Sequence, residues 1–595
     1  MEVSSIYDQT ERHLALLQER YPDIAFAYMF RKDKKVAPLG EPIDLDQWIS
    51  ELDINRIEIL YLYGIEEGIY YQGLRSWLKQ KKERVLVILE SSIEQFTPFL
   101  ASREAESLLL DPQVLLRLVT GNQAWEYVLQ ECCIAFPSEK VDLVASRRYQ
   151  KKYRKKVAKL KLSLYRKATL FYSLLCESLQ YHFLMENLLP NMGHIAQSCY
   201  VNQLKGVFAN VPAIICGAGP SLDSVKQDLQ QLENHALIFA GGSAISALTS
   251  QGVRPHIALA LDPNDEEYLR VKTAQAFDIP LFFAPRLKTQ VLNLLSSPLG
   301  YMSTGTGGGY ESWMEERLGL RLPRLGRDLS CEALSVTTLI VSLAQHMGCS
   351  PIIFCGVDLA YTDKKRYAEG VMVSSRVDIP TLQKVQDASN KIVVKKDRHG
   401  KKIYSLVRWV MEAEVLGQYA KDHPHIPFFN AAPAGLPIPG IEYQDFSLLA
   451  RELRTNHLDL HGMLHAAMEE AALAPAETVD SLNTELHDSL KRVIGYITSI
   501  VQEIAHLEEC IADLSYPLLS AKRVLLDMDL QEELAYAVLL QTAPDSIEKL
   551  FLRGFWTNAV EDSLEYRRCF VNKQKIKYRH LLEIARHYSK VFTKH

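Results

Sequence analysis

No apolar run in the 595 residues approaches the roughly 20 that a membrane-crossing helix needs, so no membrane span is expected. The ten cysteines show no CxxC or CxxH spacing, which argues against a structural zinc site or a disulfide framework. Scattered thiols in strand-like runs, such as Cys216 and Cys355, fit reduced side chains and a cytoplasmic location. A strong charge of either sign is missing: 67 Lys and Arg face 72 Asp and Glu, and a net charge of −5 gives no global pull toward nucleic acid or an anionic membrane. The opening MEVSSIYDQTERH sets Asp8 and Glu11 where a secretory signal needs an apolar centre, so no export signal is expected. Short-period repeats and low-complexity linkers are absent too.

The composition that remains, 47% hydrophobic and 23% charged, is that of an ordinary globular chain. Its length exceeds what one hydrophobic core supports, so several domains are expected. Residues 1–130 carry a βαβ pattern, with strands at Ile57–Tyr63 and Arg84–Leu89 and a helix reaching Lys79. Glu90 stands where nucleotide-binding Rossmann units hold a ribose. The glycine loop is degenerate, however, and Glu66-Glu67 places two negative charges at the phosphate position, which favours a structural Rossmann-like domain. Residues 131–205 read as a helical connector. There, 147–167 holds 11 Lys and Arg and no acid: a nucleic-acid or lipid-surface patch, or, favoured by the net negative chain, a solvated face that balances acidic neighbours or contacts an acidic partner.

Residues 206–442 form the α/β centre. Strands are expected at Ala213–Cys216, Ala236–Ala240, Ile257–Leu261, Leu281–Ala284 and Ile352–Cys355. Continuous apolar strands alternating with helices indicate a parallel sheet covered on both faces. Ligands in such sheets bind beyond the strands' carboxyl ends. The polar residues there are Gly217–Ser221, Gly241-Gly242-Ser243, Asp262-Pro263-Asn264 and Gly356-Val357-Asp358. The first of these, GAGPSLD, follows a strand and leads into a helix-like stretch, Asp223–Leu232. Gly217 and Gly219 admit close backbone approach, Pro220 fits a first helical turn, and Ser221 adds a hydroxyl. That sequence suits either a phosphate-cradling turn or a tight βα turn with no ligand. Residues 443–595 read as helical. Leu486, Leu490, Val493, Ile497, Ile500, Ile504, Leu507, Ile511 and Leu514 make a heptad seam, for a homo-oligomer or for an antiparallel hairpin within the domain.

In order, GAGPSLD at 217–223, AGGSAISAL at 240–248, GVRPHIALALDP at 252–263, SVTTLIVSLAQHMGCSPIIFCGVDLAYT at 335–362 and FFNAAPAGLPIPG at 428–440 resemble one family. It is the motility-associated factor (Maf) glycosyltransferases, whose central domain is also called MptE-like after an archaeal hydroxymethylpterin pyrophosphokinase. The resemblance implies a Rossmann-like, sialyltransferase-like central domain between an N-terminal Rossmann-like domain and a helical C-terminal one. It further implies transfer, in the cytoplasm, of a nonulosonic sugar from a CMP-linked donor to Ser or Thr of a protein such as flagellin. The related sialyltransferases carry a Gly-Pro-Ser-Leu turn at the nucleotide and two tyrosines, six residues apart, on the leaving phosphate. Gly219-Pro220-Ser221-Leu222 and the pair Tyr361 and Tyr367 match them.

On that reading the catalytic residues are Tyr361, Tyr367 and Asp262. The donor-binding set is Gly217, Gly219, Pro220, Ser221, Gly242, Ser243, Asn264, Ser335, Gly356 and Asp358. Phenol and turn N–H donors would stabilise the departing phosphate without a tightly bound metal, leaving room for a loosely held Mg²⁺. Lys364, Lys365 and Arg366 would add positive charge, and Asp262 would hold a ribose hydroxyl or orient the acceptor. His399, in the polar loop 395–402, is a candidate base or a surface histidine, and His346 reads as a satisfied core residue. The chain departs from the family at Ala333-Leu334, where Gly-Gly precedes Ser-Val, at His256, where Asp follows Pro, and at Ala431-Ala432 after Asn430. Two other readings stay open: a pyrophosphokinase, which needs clustered carboxylates such as Asp262 and Asp265 for Mg²⁺, and an interaction protein that keeps the fold without catalysis.

Overall fold

The computed structural model describes residues 2–30, 44–121, 124–272, 274, 278–294, 296–329, 335–371, 376–382, 387–473, 478–544, 547–548 and 563–594. The altered Ala333-Leu334 pair lies outside them. The chain divides into two compact units, Met1–Cys176 with Lys384–Lys391, and Glu177–Gln383 with Ile392–His595.

In the first unit β1 (Ile59–Tyr63), β2 (Val85–Glu90), β3 (Val114–Leu118) and β4 (Val141–Ala145) form a parallel sheet in the order β3-β2-β1-β4. β1 is buried throughout, as an apolar central strand must be. β4 falls within the stretch expected to be helical; its alternation Val-Asp-Leu-Val-Ala is that of an edge strand with one wet face. The basic run follows β4 as helices Arg147–Lys152 and Arg154–Met192. Part of its charge is balanced locally: Lys161 pairs with Asp142 at 2.7 Å and Lys167 with Glu126 at 3.3 Å, while Lys156 sits 4.4 Å from the Trp125 ring. Lys152, Arg154, Lys155 and Lys159 remain exposed.

The second unit is built on nine strands, every pairing parallel. They are β5 (Ser198–Tyr200), β6 (Ala213–Cys216), β7 (Leu237–Gly241), β8 (Ile257–Ala260), β9 (Leu281–Phe283), β10 (Leu299–Tyr301), β11 (Ile352–Cys355), β14 (Phe428–Asn430) and β15 (Glu442–Tyr443). Their order is β15-β14-β11-β6-β7-β8-β9-β10-β5. An antiparallel hairpin, β12 (Ile392–Lys396) and β13 (Lys402–Leu406), stands beside it. Alternate residues feed two cores. Ile214, Cys216, Ile238 and Ala240 join one, Ala213, Ile215, Leu237 and Phe239 the other, so both faces are covered. The expected Rossmann-like α/β architecture is therefore present. The chain runs from β6 outward to β10 and returns through β11 on the other side of β6, which makes the crevice between β6 and β11 the topological switch point.

The heptad seam is filled within the unit. Helix Val479–Glu509 buries Leu486, Leu490, Val493, Ile497, Ile500, Ile504 and Leu507 in the same core as Leu581, Leu582 and Ala585 of helix Leu564–Lys594. His487 stacks on Phe592 while Lys575 pairs with Glu508, so the two helices run antiparallel. The helix ends before Ile511 and Leu514, and Leu514 is exposed. No helix among the described residues is long and apolar enough to cross a membrane.

Candidate active site

The glycine turn after β6 is held by the loop after β11. Gly217 N–H donates to Cys355 O at 2.7 Å, Gly219 N–H to Gly356 O at 2.8 Å, and Ser221 N–H to Asp358 Oδ2 at 3.2 Å. Ser221 Oγ also donates to Asp358 Oδ1, and Thr362 Oγ1 to Oδ2 at 2.8 Å. A Cβ on Gly217 would stand 2.5 Å from Gly356 O, and one on Gly219 would stand 2.6 Å from Asp358 Oδ1. The glycines are thus required for loop-to-loop packing, and the N–H groups expected to face a phosphate are engaged inside the protein. The stretch after them also differs from the expected helix. Pro220–Ser224 is a 3-10 turn and Lys226–Gln230 a single short helix. Asp358 is buried; desolvation raises its pKa, and the bonds from Ser221 and Thr362 counter that shift. It locks the two loops together, and the switch-point crevice is closed at its base.

Above that lock the segment 361–368 crosses the turn, with Ala368 N–H donating to Ala218 O at 2.8 Å. Tyr361 is buried edge-on against Trp409, at 4.9 Å between ring centroids, and its N–H bonds Tyr404 O. Burial raises its pKa, while nearby Arg366 and Arg408 lower it and Tyr367 raises it again. Arg366 lies 5.0 Å from the centre of the half-buried Tyr367 ring. Arg366 and Arg408 both lie within electrostatic range of the two tyrosines. Lys364, in contrast, sits exposed in the turn. Arg408, at the start of helix Val407–Asp422, has an exposed side chain. Partial burial, and then Arg366, lower its pKa.

The third wall comes from the ends of β7 and β8. Asp262 is half-buried and pairs with Arg270 at 3.3 Å; Arg270 also pairs with Glu267 at 3.1 Å. Burial opposes the charge of Arg270, but Glu267, Tyr367 and Asp262 together outweigh it, so its pKa is raised. Arg270 is thus paired with Asp262 and lies within electrostatic range of Tyr367. The Asn264 side chain caps helix Asp265–Val271 by accepting Glu267 N–H at 3.1 Å. Gly242, at φ +51°, precedes helix Ser243–Ser250, with Ser243 as its half-buried first residue. Ser335 caps helix Val336–His346: its Oγ accepts Thr338 N–H at 3.1 Å and donates to Glu412 Oε1 at 2.7 Å. Burial raises the pKa of Glu412, against Ser335 and Arg408.

Sequence reasoning did not reach Arg270, Arg408, Glu267 or Glu412. All four lie on helices, outside any motif; the one signal was position, since Glu267 and Arg270 follow the Asp262–Asn264 stretch directly. Of the carboxylates expected for a divalent cation, Asp262 is paired with Arg270 and Asp265 with Lys288 at 2.6 Å, and the described residues contain no group of three metal-ligating side chains. Burial pushes the Cys216 thiol up to about 12.

The histidines take structural or surface places. His399 is exposed in the β12–β13 turn. His346 bonds Asn202 O at 2.9 Å. His256 is buried, accepts Ile238 N–H at 3.0 Å and stacks on His461, and burial lowers its pKa to about 3. Asn430 uses its Oδ1 on Ala432 N–H. In the first unit Glu90 receives the N–H groups of Ile65, Ser91 and Ser92 and the hydroxyl of Tyr149, so the ribose-holding position is occupied by the protein itself. A cavity of about 740 Å³ lies at the opposite, amino-terminal ends of the large sheet, lined by Lys205, Asn210, Arg324, Gln345 and Ser350 among others. None of Tyr361, Tyr367, Arg366, Arg408 or Arg270 lines it, and the carboxyl end of helix Val336–His346 faces it.

Residues 186–364 match the family model described as 6-hydroxymethylpterin diphosphokinase MptE-like. Among solved structures the chain is similar to a MAf glycosyltransferase from Magnetospirillum magneticum AMB-1, at 12% identity and a TM-score of 0.48, over 98% of this chain and 97% of that one. No curated protein matches it in sequence.

Proposed function

We propose that the chain is a glycosyltransferase that moves a sugar from a nucleoside monophosphate, of CMP type, to a hydroxyl of a protein in the cytoplasm. One observation carries this: beyond the carboxyl end of β11, Tyr361 and Tyr367 lie within electrostatic range of Arg366 and Arg408, and Tyr367 also of Arg270. In the reaction the bond between the anomeric carbon and the phosphate oxygen breaks, its electron pair stays on the phosphate, and the acceptor hydroxyl oxygen bonds to carbon as its proton passes to solvent. Phenol and guanidinium donors fixed around the phosphate favour that charge as it develops. Burial keeps the Tyr361 phenol protonated and able to donate. The locked turn 217–221 lies against segment 361–368, with the N–H groups of Gly217, Gly219 and Ser221 spent on β11 and its loop.

The test is release of CMP from a CMP-linked nonulosonic sugar by the full chain and by Tyr361→Phe with Tyr367→Phe. Turnover should fall at least about 100-fold, with melting temperature little changed. Equal turnover would remove the tyrosines from the mechanism. The MptE-like match favours a second reading, pyrophosphate transfer from ATP to a pterin alcohol. Mg²⁺-dependent thermal stabilisation by ATP, with none by CMP or CDP, would select it. The engagement of Asp262 and Asp265 by cations weighs against it.

A further inference from the structure

The hairpin β12–β13 carries Lys395, Lys396, Arg398, His399, Lys401 and Lys402 within eight residues, and its one acid is Asp397. That carboxylate is spent on the turn, where Oδ1 accepts the N–H of His399 at 2.9 Å and of Lys401 at 2.8 Å. The ladder sets Lys396 directly opposite Lys402, and like charges facing each other across two strands repel. Both side chains are exposed, and among the described residues neither ammonium has an ion pair; Lys402 sits 5.2 Å from the Tyr404 ring. One step along the same face Val394 stands opposite Tyr404, and Val394 is 53% exposed. The hairpin therefore presents an apolar spot beside two cations that the fold leaves uncompensated.

This surface is fixed to the tyrosine site. Tyr404 O accepts Tyr361 N–H at 2.9 Å, and Ser405 Oγ donates to Leu359 O at 2.7 Å. Ile392, Tyr404 and Leu406 pack with Tyr361 in one apolar cluster. At the turn, Arg398 lies 3.4 Å from the centre of the Tyr443 ring and its Nε donates to Pro433 O at 3.0 Å. Two residues of strand, about 7 Å, separate Lys402 from Tyr404. In the other direction β13 leads directly into the exposed Arg408.

Charge complementarity calls for an anionic partner, and the valine selects its class. A single-stranded nucleic acid takes much of its affinity from rings on which bases stack. The one ring on this face, Tyr404, is half-buried with Lys402 beside it, whereas Val394 suits an apolar side chain. An extended peptide sets alternate side chains on one face at about 7 Å intervals, the spacing of Val394 from Lys396 along β12. We propose that this face docks an acidic, extended segment of a protein, with carboxylates on Lys396 and Lys402 and an apolar side chain on Val394. The docked segment brings a neighbouring hydroxyl toward Tyr361; that this protein is the acceptor rests on the transfer reading above, whereas the docking does not.

Fluorescence anisotropy of the full chain at low salt tests it, with a labelled peptide of alternating glutamate and serine around a central leucine. The control peptide carries glutamine in place of every glutamate. Wild type should bind the acidic peptide about 10-fold more tightly than the control. Lys396→Gln with Lys402→Gln should shrink that preference to about 3-fold or less, and Lys396→Glu with Lys402→Glu should abolish it. The melting temperature should hardly move in either variant, because both side chains are exposed. No preference in wild type, or a full preference kept by both variants, overturns the docking face and leaves the transfer reading standing. A single-stranded oligonucleotide or a phosphatidylserine vesicle that outcompetes the peptide, and loses its hold on the variants, overturns it in favour of that partner. Absence of CMP release with the peptide preference intact overturns the transfer reading alone.

Discussion

Burial at Glu267 sets a protonation equilibrium that ordinary buffers span. Its folded pKa of about 7 lies above the usual 4.5, so its contribution to stability is fully present below about pH 4.5 and is lost as pH rises through 7. Asp262, which shares Arg270 with it, adds to the cost of ionisation. Chemical denaturation of wild type and Glu267→Gln across pH 4.5 to 8 should show wild type losing about 3 kcal/mol relative to the variant. Parallel curves would mean that the carboxyl ionises as freely as it does in the unfolded chain. Asp262 is readable as a candidate because it sits just beyond a recognisable strand, whereas Tyr361 and Tyr367 come to notice only through the resemblance and its six-residue spacing. Glu267, Arg270 and Arg408 are illegible there because a charged residue on a helix looks solvated until tertiary packing surrounds it. Ser221 and Asp358 show the converse limit. Both are readable as polar groups at strand ends, but nothing local reveals that residues 137 positions apart satisfy each other.

Among the elements, buried strands were the easiest to read, because a continuous apolar run has few other uses in a chain of this composition. Ala213–Cys216 and Ile352–Cys355 fall where the pattern sets them, whereas three-residue strands such as β5 and β10 are too short to carry any period. The heptad seam gave a true helix and an ambiguous partner. The spacing states that a stripe is covered but not by what, and here Leu564–Lys594 covers it. Leu490, with no exposed surface, lies in that contact. Leu490→Ala should cost about 2–5 kcal/mol, measured as a lower denaturation midpoint. A loss below about 1 kcal/mol would show that the helices repack or pair more loosely than this seam requires.

For the protein as a whole, net charge and site charge have opposite signs. The chain carries −5, yet the cleft gathers Arg270, Arg366 and Arg408 around two tyrosines. If the local arginines govern nucleotide capture, added salt screens an attraction and weakens binding. If the global charge governs, salt relieves a repulsion and strengthens it. Affinity for cytidine 5′-monophosphate should therefore fall severalfold between 50 and 500 mM NaCl, on the order of the screening expected for exposed charges. A rise would contradict the arginine-lined cleft. Both parallel sheets furnish their glycine turns from within. In the first unit Glu90 accepts backbone N–H groups and the Tyr149 hydroxyl, and in the second β11 and its loop take the N–H groups of Gly217, Gly219 and Ser221. Neither turn keeps those donors for a guest, so each works as a rivet in its own scaffold.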